Sequence, residues 1–344
     1  MLGNQRVLAN LQEALRMDSV GHAYIFEGPD GIGKRETALS FSSMLMCQET
    51  NAYEEHVSAG NLTQENLSRR PAACGKCKSC QLFAEGSNPD FQEIYSKDKS
   101  ISVDDVRNIL KGLVIKPLYS RYKVIIINDA DNMTVQAQNA LLKSLEEPPP
   151  YVIFVLTVQS GAAMAPTIRS RCQRVLFNKL GGGEILKILE EKYGGRKSEW
   201  DFIISYSDGI IGTAMELIES PQYLDIREEV FEAVRRLASP DEADVFKIYE
   251  IFEKHDDKTE FILRIMLLIF RDILIYNQTA DTGILINSDK KDMIMEYANL
   301  NLSGLLKCIN AVWSANRGLG YNANFQLAIE VMLMKIKQEF ANAF

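Results

Sequence analysis

The sequence predicts an α/β fold built on a parallel sheet, followed by a region made only of helices. Three apolar runs in the first 180 residues, HAYIFEG, KVIIIND and YVIFVLT, alternate with helical stretches, which is the pattern of a parallel sheet covered by helices. After the glycines at 181–183 the strand-like runs stop, and segments such as EILKILEEKY, DFIISYSDG and GTAMELIES carry apolar residues at helical spacing. A small helical domain is therefore expected after the sheet.

Two Ser-Pro pairs divide off a third region. They lie at 220–221 and 239–240, and long apolar helical segments follow them. We predict an α/β domain over residues 1–179, a small helical domain over 180–219 and a larger helical domain over 220–344.

Two of the C-terminal segments, EFILRIMLLIFRDILIY and NFQLAIEVMLMKIKQEF, are apolar enough to be mistaken for membrane spans. Charged residues such as Arg264, Arg271 and Lys335 interrupt them within one or two turns, which favours burial in a helical bundle. No uncharged apolar run reaches the roughly 18 residues of a membrane span, and the N-terminus has the pattern of an amphipathic helix. We expect no membrane contact and a cytoplasmic location.

The composition is that of an ordinary folded protein. Hydrophobic residues make up 46% of the chain and charged residues 24%, without the low hydrophobicity that marks disorder. The net charge of −8 argues against a protein that coats nucleic acid, because neutralising phosphates requires clustered Lys and Arg. Any contact with DNA must be local or shared with partner subunits.

A glycine-rich motif follows the first apolar run. Gly28, Gly31, Gly33 and Lys34 belong to the sequence GPDGIGK, between a strand and a helix. In a phosphate-binding loop, such glycines let backbone N–H groups cradle phosphates at a helix N-terminus, and the lysine reaches the outer phosphates. The motif predicts a site for ATP or ADP, with a glycine-rich turn that binds no ligand as the alternative.

The motif departs from a working loop at its next position. The pattern continues with Ser or Thr, whose hydroxyl holds Mg²⁺, but here the residue is Arg35. A guanidinium only donates hydrogen bonds and stays positive, so it cannot ligate a metal. Thr37 follows two residues too late for the role. These residues argue against Mg²⁺-dependent hydrolysis.

A second motif follows the apolar run at 124–127, which ends in acids as a Walker-B strand does. Asp129 is placed to reach a metal, directly or through water. Hydrolysing members of such families carry a glutamate directly after that aspartate, to orient the attacking water, and here the residue is Ala130. Strand alternation would send Asp131 in a different direction, so we do not expect it to substitute.

Four of the six cysteines lie in the first quarter of the chain. In a cytosolic protein such clustering favours a metal over disulfides. Cys74, Cys77 and Cys80 are separated by two residues each and can converge on one ion, for which Zn²⁺ needs a fourth ligand. Cys47 is our candidate, His56 in the intervening 48–73 insert is its rival, and reduced thiols without metal are the alternative.

A longer motif connects these sites to a known family. Residues 139–149, NALLKSLEEPP, resemble the signature helix and turn of bacterial DNA polymerase III clamp-loader subunits, which are AAA+ proteins. HAYIF at 22–26, the acid-ended strand and Ser-Arg-Cys at 170–172 occur in the order that this family has them. The resemblance covers residues 1–180 well and is weaker beyond 220. It implies an α/β AAA+ module with a Cys₄ zinc insert, a helical lid and an all-α C-terminal collar.

The same resemblance implies that catalysis has been lost. ATPase members of the family carry the loop hydroxyl, the Walker-B glutamate and an arginine on the lid helix, and this chain has Arg35, Ala130 and Gly212 at those positions. It therefore looks like a non-hydrolysing subunit that completes a ring with tau/gamma-type ATPases and a delta subunit. Such a ring opens a sliding clamp and places it on primer-template DNA.

Arg171 of the Ser-Arg-Cys motif corresponds to the arginine finger of this family. The resemblance implies that its guanidinium projects into the ATP site of a neighbouring subunit, where it would stabilise transition-state charge. On spacing alone, Arg169, Arg171 and Arg174 would be read as a solvated basic edge.

Two other functions remain open at the level of sequence. One is an active AAA+ ATPase with an unusual metal shell, favoured by the intact glycines and Lys34. The other is a zinc-containing nucleic-acid-binding module, favoured by Lys76 and Lys78 beside the cysteines. The acidic composition and the lack of interleaved aromatic residues weigh against the second.

Overall fold

The computed structural model describes residues 4–49, 72–95, 100–195, 199–239, 244–298, 300–321 and 323–342. The chain divides into two compact units. One extends to Ile188 and includes Gly209–Gly212, and the other contains Leu189–Asp208 and the chain from Thr213 onward. The rival zinc ligand His56 lies outside the described residues.

The first unit contains a five-stranded sheet in which every pair of neighbours is parallel, in the order β2-β3-β4-β1-β5. The strands are β1 Ala23–Glu27, β2 Phe91–Ile94, β3 Lys123–Ile127, β4 Val152–Val158 and β5 Gln173–Leu176. The predicted parallel sheet is confirmed, and the three apolar runs correspond to β1, β3 and β4. In the parts of the chain that the structure describes, no strand follows Leu176.

The central strands are apolar throughout because helices cover both faces of the sheet. All five residues of β3 and all seven of β4 are buried. Alternate residues of β3 enter different cores: Ile125 and Ile127 pack into one cluster, whereas Val124 and Ile126 pack into the other. Strand alternation thus divides the domain core into two layers.

The helices of the α/β region connect these strands. They are α1 Gln5–Arg16, α2 Lys34–Met46, α3 Lys78–Ala84, α4 Val103–Lys111, α5 Val135–Glu146 and α6 Pro166–Arg169. Short 3₁₀ turns occur at Gly112–Val114, Ala130–Asn132 and Gly161–Ala163. Side-chain caps fix two of the helix starts, because Ser102 forms a capping box with Asp105 before α4 and Thr134 caps α5.

The chain after the sheet is helical, as predicted. Its helices are α7 Gly182–Tyr193, α8 Trp200–Ser207, α9 Ile211–Glu219, α10 Gln222–Leu237, α11 Asp244–Lys254, α12 Thr259–Thr279, α13 Lys291–Glu296, α14 Leu302–Gly320 and α15 Phe325–Ala341. The two apolar C-terminal segments form α12 and α15, which bury residues such as Ile269 and Leu333. None of the described helices is both long and apolar enough to cross a bilayer.

Candidate functional site

The glycine-rich motif forms the turn between β1 and α2. Gly31 and Gly33 have φ angles of 73° and 98°, in the left-handed region that residues with a Cβ rarely adopt. α2 begins directly afterwards at Lys34. The predicted strand-loop-helix geometry of a phosphate-binding loop is therefore present.

Lys34 is bound by its own loop. Its Nζ donates to the carbonyl oxygens of Gly28 at 2.6 Å and Pro29 at 3.1 Å, and it lies 3.1 Å from Oδ1 of Asp30. The side chain is only 6% exposed. The cation that would face the outer phosphates of a nucleotide is thus already solvated by groups of this chain.

Gln159, just beyond β4, links the loop to the acids that follow β3. Its amide Nε2 donates to the Asp30 carboxylate. Its backbone N–H donates to Oδ2 of Asp131 at 3.1 Å. Asp30 and Asp131 are therefore held on either side of Gln159, at the carboxyl ends of three neighbouring strands, where open parallel sheets bind ligands.

Arg35 stands where the motif pattern has a metal-binding hydroxyl, and it forms an ion pair with Glu93 of β2. Its Nε lies 2.8 Å from Oε1 of Glu93 and its Nη2 lies 3.1 Å from Oε2, and it also donates to the Tyr95 hydroxyl. Asn128 Nδ2 donates to the same carboxylate at 2.7 Å. Burial would raise the pKa of Glu93, but the bonds from Arg35, Tyr95 and Asn128 outweigh it and lower the pKa.

The Thr37 hydroxyl, two residues after Arg35, already forms a hydrogen bond within the chain. Thr37 Oγ1 donates to the Gly33 carbonyl at 2.8 Å, within α2. The hydroxyl proton therefore satisfies a backbone carbonyl at the start of the helix. The expectation that Thr37 does not replace the missing metal ligand agrees with this geometry.

The Walker-B acids lie beyond the strand and not on it. β3 ends at Ile127, and Ala130–Asn132 form a 3₁₀ turn. The prediction that strand alternation sets the direction of Asp131 is therefore wrong, because Asp131 is not on the strand. Ala130 is fully buried and offers no group to a water molecule. Partial burial raises the pKa of Asp129, the Asp30 carboxylate raises it further, and Lys34 opposes both effects.

Gly212, at the lid-arginine position, is in direct backbone contact with the loop. Its N–H donates to the Gly31 carbonyl oxygen at 2.8 Å. A Cβ at position 212 would lie 2.7 Å from that oxygen and 2.8 Å from the Gly31 Cα. The spacing leaves no room for any side chain here, and an arginine would require the backbone to move.

The four predicted cysteine ligands come together. The Sγ atoms of Cys47, Cys74, Cys77 and Cys80 all lie within 4.8 Å of one another, and the Cys74 and Cys80 sulfurs are 4.0 Å apart. Four sulfurs around a tetrahedral Zn²⁺ would be separated by about 3.8 Å, given bonds of about 2.3 Å. The cluster fits the size and donor set of a metal ion of this type, and no cysteine of the chain forms a disulfide.

Backbone amides around the cluster point at its sulfurs. The N–H groups of Lys76 and Cys77 donate to the Cys74 sulfur at 3.4 and 3.3 Å, and that of Cys80 donates to the Cys77 sulfur at 3.5 Å. Gly75 allows this turn through its φ of 69°. Burial raises the pKa of the Cys80 thiol, which a bound cation would reverse by favouring the thiolate.

Arg171 lies in the turn after α6 and is held in place by three acceptors. Its Nη1 donates to the Thr167 carbonyl at 2.8 Å and to Ser170 Oγ at 3.3 Å. Its Nη2 lies 2.8 Å from Oε1 of Glu146, the last residue of α5. The side chain remains 34% exposed, so its guanidinium is oriented and still open to solvent.

Comparison with known proteins places this geometry in a family. The sequence profile described as "DNA polymerase III, delta subunit" matches residues 3–181, and a second, described as "DNA polymerase III, delta subunit, C terminal", matches residues 221–338. The DNA polymerase III subunit delta' of Pseudomonas aeruginosa is 30% identical, and the match covers 87% of this chain and 93% of that protein. The chain belongs to the delta-prime family of DNA polymerase III subunits.

The chain is also similar to further DNA polymerase III subunits and to a solved structure. The delta' subunit of Bacillus subtilis is 26% identical over 97% of this chain and 96% of its own length. Subunit tau of the same organism is 25% identical over 98% of this chain, which spans only 61% of tau. A gamma subunit-related protein of Thermotoga maritima shares the fold, with a TM-score of 0.55, 20% identity and coverage of 97% and 99% of the two chains.

The structure also identifies site residues of this delta-prime member that sequence reasoning missed. Glu93 binds Arg35, Gln159 donates to Asp30 of the loop, and Glu146 binds Arg171. Each pair joins separate elements, and Arg35 and Glu93 are 58 positions apart. Glu146 and Asp30 had a signal in the sequence, because they belong to the NALLKSLEEPP and GPDGIGK motifs.

Proposed function

We propose that this chain is a non-hydrolysing subunit of the DNA polymerase III clamp loader, and that it completes the loader ring in the cytoplasm. Its partners would be tau/gamma-type ATPase subunits and a delta subunit. Through the assembled ring it would help to open the sliding clamp and load it on primer-template DNA. In this proposal the α/β domain ends near residue 179, the lid near 219, and the remaining helices form the collar.

The observation that carries the non-hydrolysing role is the ion pair between Arg35 and Glu93. It fills the position of the metal-binding hydroxyl with a cation that is already neutralised by a bidentate carboxylate. A magnesium ion placed beside it would meet a guanidinium, which repels it, where hydrolysing enzymes supply an oxygen ligand. Ala130 removes the group that would orient water, which is a second and independent obstacle to turnover.

The electrostatics around the loop support the same proposal. Asp30, Asp129 and Asp131 surround the position of the outer phosphates, and Lys34 already serves the chain's own carbonyls. A triphosphate would have to displace those bonds without the two cations that balance its charge during hydrolysis. ATP or ADP would therefore bind weakly in this loop and would not be turned over.

Arg171 is the group through which the chain would contribute to catalysis. A guanidinium supplied by a neighbouring subunit can raise the rate of phosphoryl transfer by about 10³ to 10⁵. Bonds to Thr167, Ser170 and Glu146 reduce the freedom of the side chain before any partner binds. Less entropy is then lost when it meets the phosphate, which suits a group delivered across an interface.

The four-cysteine cluster would hold Zn²⁺ in a structural role. Cys47, Cys74, Cys77 and Cys80 would supply all four ligands, leaving no open position for substrate. Bound zinc would contribute folding free energy and charge neutralisation of the thiolates. We assign this site to the stability of the α/β domain and its interfaces.

ATP turnover tests the proposal directly. It should be measured for the purified chain alone and for the chain mixed with a clamp-loader ATPase subunit and a delta subunit. We expect no Mg²⁺-dependent turnover by the chain alone, an increase in the rate of the mixture, and loss of that increase with Arg171→Ala. Arg107→Ala is the matched control, because Arg107 is a surface arginine of α4 that pairs with Asp104 three residues away.

Two results would contradict the proposal in different ways. Steady turnover by the chain alone would mean that Arg35 and Ala130 do not prevent hydrolysis, and that the chain is an ATPase with an unusual metal shell. An unchanged rate of the mixture with Arg171→Ala would remove the arginine finger while leaving the non-hydrolysing role intact.

A further inference from the structure

The segment between α4 and β3 exposes apolar side chains. We call residues 112–120 the apolar loop; Val114 is 84% exposed and Leu118 70% exposed. Side chains that remain in water gain almost nothing from hydrophobic burial. The loop must therefore be held in its conformation by hydrogen bonds to its backbone, and these bonds fall into two separate sets.

The first half of the apolar loop is held by the sheet. Lys123 in β3 donates from Nζ to the carbonyl oxygens of Gly112 and Ile115, both at 2.9 Å. The hydroxyl of Tyr151, next to β4, donates to the Leu113 carbonyl at 2.9 Å. These bonds come from the domain core and involve no residue of the cysteine cluster.

The second half is held by one buried carboxylate. Asp90 is 1% exposed, and its two oxygens accept the N–H groups of Leu118 at 2.8 Å, Tyr119 at 2.8 Å and Ser120 at 3.1 Å. Three consecutive amides on one charged acceptor form a strong anchor, because bonds to charged groups exceed neutral ones. The position of this half therefore depends on whatever fixes Asp90.

Asp90 is fixed by the helix α3, which carries Cys80 and is capped by Cys77. Its N–H donates to Asn88 Oδ1 at 2.9 Å, and Asn88 Nδ2 donates to both the carbonyl and the hydroxyl oxygen of Ser79 at 3.0 Å. Ser79 is fully buried between Cys77 and Cys80. Its hydroxyl also lies 2.8 Å from that of Ser120. Ser79 therefore contacts both Asn88, which binds the backbone of Asp90, and the turn that Asp90 holds.

A second segment of the cysteine cluster, residues 47–48, contacts the same turn. We call this segment and residues 77–80 the two arms of the cluster. Gln48 follows Cys47 directly, and its Nε2 donates to the Tyr119 carbonyl at 3.0 Å. Two segments separated in sequence, one at Cys47 and one at Cys77–Cys80, thus converge on residues 119–120. A metal ion that joins these cysteines would join the two arms that hold the turn.

We propose that the four-cysteine centre is a brace for the second half of the apolar loop. This inference rests on the metal site of the proposed function. With the metal bound, Ser79, Asn88 and Gln48 hold Asp90 and the 118–120 turn in place. Loss of the metal separates the arms and releases this turn, while Lys123 and Tyr151 continue to hold the first half.

Hydrogen–deuterium exchange of the full chain tests the brace. Protein with its metal content measured should be compared before and after treatment with a zinc chelator. We expect the amides of 118–120 to exchange at least about tenfold faster after metal loss, as local opening becomes easier. The amides of β4 should keep their exchange rates and report that the domain remains folded.

Ser79→Ala separates the brace from the metal itself. It removes the hydroxyl that contacts Asn88 and Ser120 but leaves all four thiols, so we expect retained zinc and several-fold faster exchange at 118–120. Ser87→Ala is the matched control, because that exposed hydroxyl donates to the nearby Leu82 carbonyl. If chelation also unfolds β4, amide exchange at 118–120 in the Ser79→Ala variant decides whether the brace exists.

The outcomes distinguish the two proposals. Absence of zinc from freshly purified protein would refute the metal site, with Ser79→Ala still reporting on the hydrogen-bond arms. Unchanged exchange at 118–120 in both the metal-depleted protein and the Ser79→Ala variant would overturn the brace and leave the zinc site standing.

Discussion

Nη2 of Arg171 lies 2.8 Å from Oε1 of Glu146, so the proposed arginine finger is oriented by the last residue of the signature helix α5. Both side chains are partly exposed, at 34% and 49%. An ion pair of this kind adds at most about 1 kcal/mol to stability. Its effect should therefore be on the direction of the guanidinium.

Glu146→Ala should lower the stimulated ATPase rate of the assembled loader by about three- to tenfold, less than Arg171→Ala, because Arg171 loses one of its three acceptors. Glu146→Gln should stay near the wild-type rate, since its amide oxygen still accepts the bond. Steady-state turnover of the mixture and thermal unfolding of each variant provide the measurements. Equal losses for Ala and Gln would indicate that charge, not orientation, is what Glu146 supplies.

Gly212→Ala should destabilise the chain by about 1–3 kcal/mol, because the added Cβ would collide with the Gly31 backbone. Gly183→Ala is the matched control: it also lies in the first turn of a helix, and its Cβ would meet nothing within 4 Å, so we expect a neutral or slightly stabilising effect. Urea unfolding of both variants tests this. Equal stability of the two variants would show that the contact with Gly31 does not constrain position 212.

The Arg35–Glu93 pair should make stability depend on pH in the acid range. The folded pKa of Glu93 is lowered, so its contribution is fully present above the unfolded pKa of about 4.3 and is lost as the pH falls through the folded value. Glu93→Gln should cost about 1–3 kcal/mol at pH 7 and progressively less below about pH 4. Glu85→Gln, at an exposed position, should cost little at either pH, and a Glu93→Gln deficit that is independent of pH would contradict the assignment.

The buried guanidinium of Arg227 should contribute to the stability of the C-terminal helices. Arg227 is 2% exposed, pairs with Asp289 at 2.7 Å and stacks over Phe202 at 4.0 Å. Arg227→Leu should destabilise the protein by about 1–3 kcal/mol because it removes the donor to Oδ1 of the fully buried Asn287. Arg236→Leu, on the exposed face of the same helix, should change the unfolding free energy by less than about 0.5 kcal/mol, and comparable losses in the two variants would contradict the importance of burial.

The sequence predicted the parts of the fold that are buried on both faces. β1, β3 and β4 are continuous apolar runs because helices cover both sides of the sheet. β2 and β5 were not predicted, since FQEI and QRVL are edge strands whose side chains are largely half-buried or exposed and carry no clear alternation. The missed partner of Arg35 follows from this, because Glu93 lies on β2.

The candidate sites divide in the same way. The phosphate loop and the three cysteines at 74, 77 and 80 were predictable because their spacing is local, whereas Cys47 lies 27 positions before Cys74 and had His56 as a rival. The bonds of Lys34 to its own loop, the bridge from Gln159 to Asp30 and the contact of Gly212 with Gly31 depend on the register of distant elements. Sequence indicated which groups were absent from a working ATPase site, and only the structure indicated what had taken their places.

The main-chain contact between Gly212 and Gly31 has an evolutionary consequence. A side chain can be restored by one mutation, but the distance between two backbones cannot. An arginine at position 212 would be excluded until α9 moved away from the loop, and that movement would first have to break the bond from the Gly212 N–H. Under the proposed non-hydrolysing role, a single substitution to arginine at this position would give a poorly folded protein, so the contact would hinder the gain of hydrolysis by single mutations.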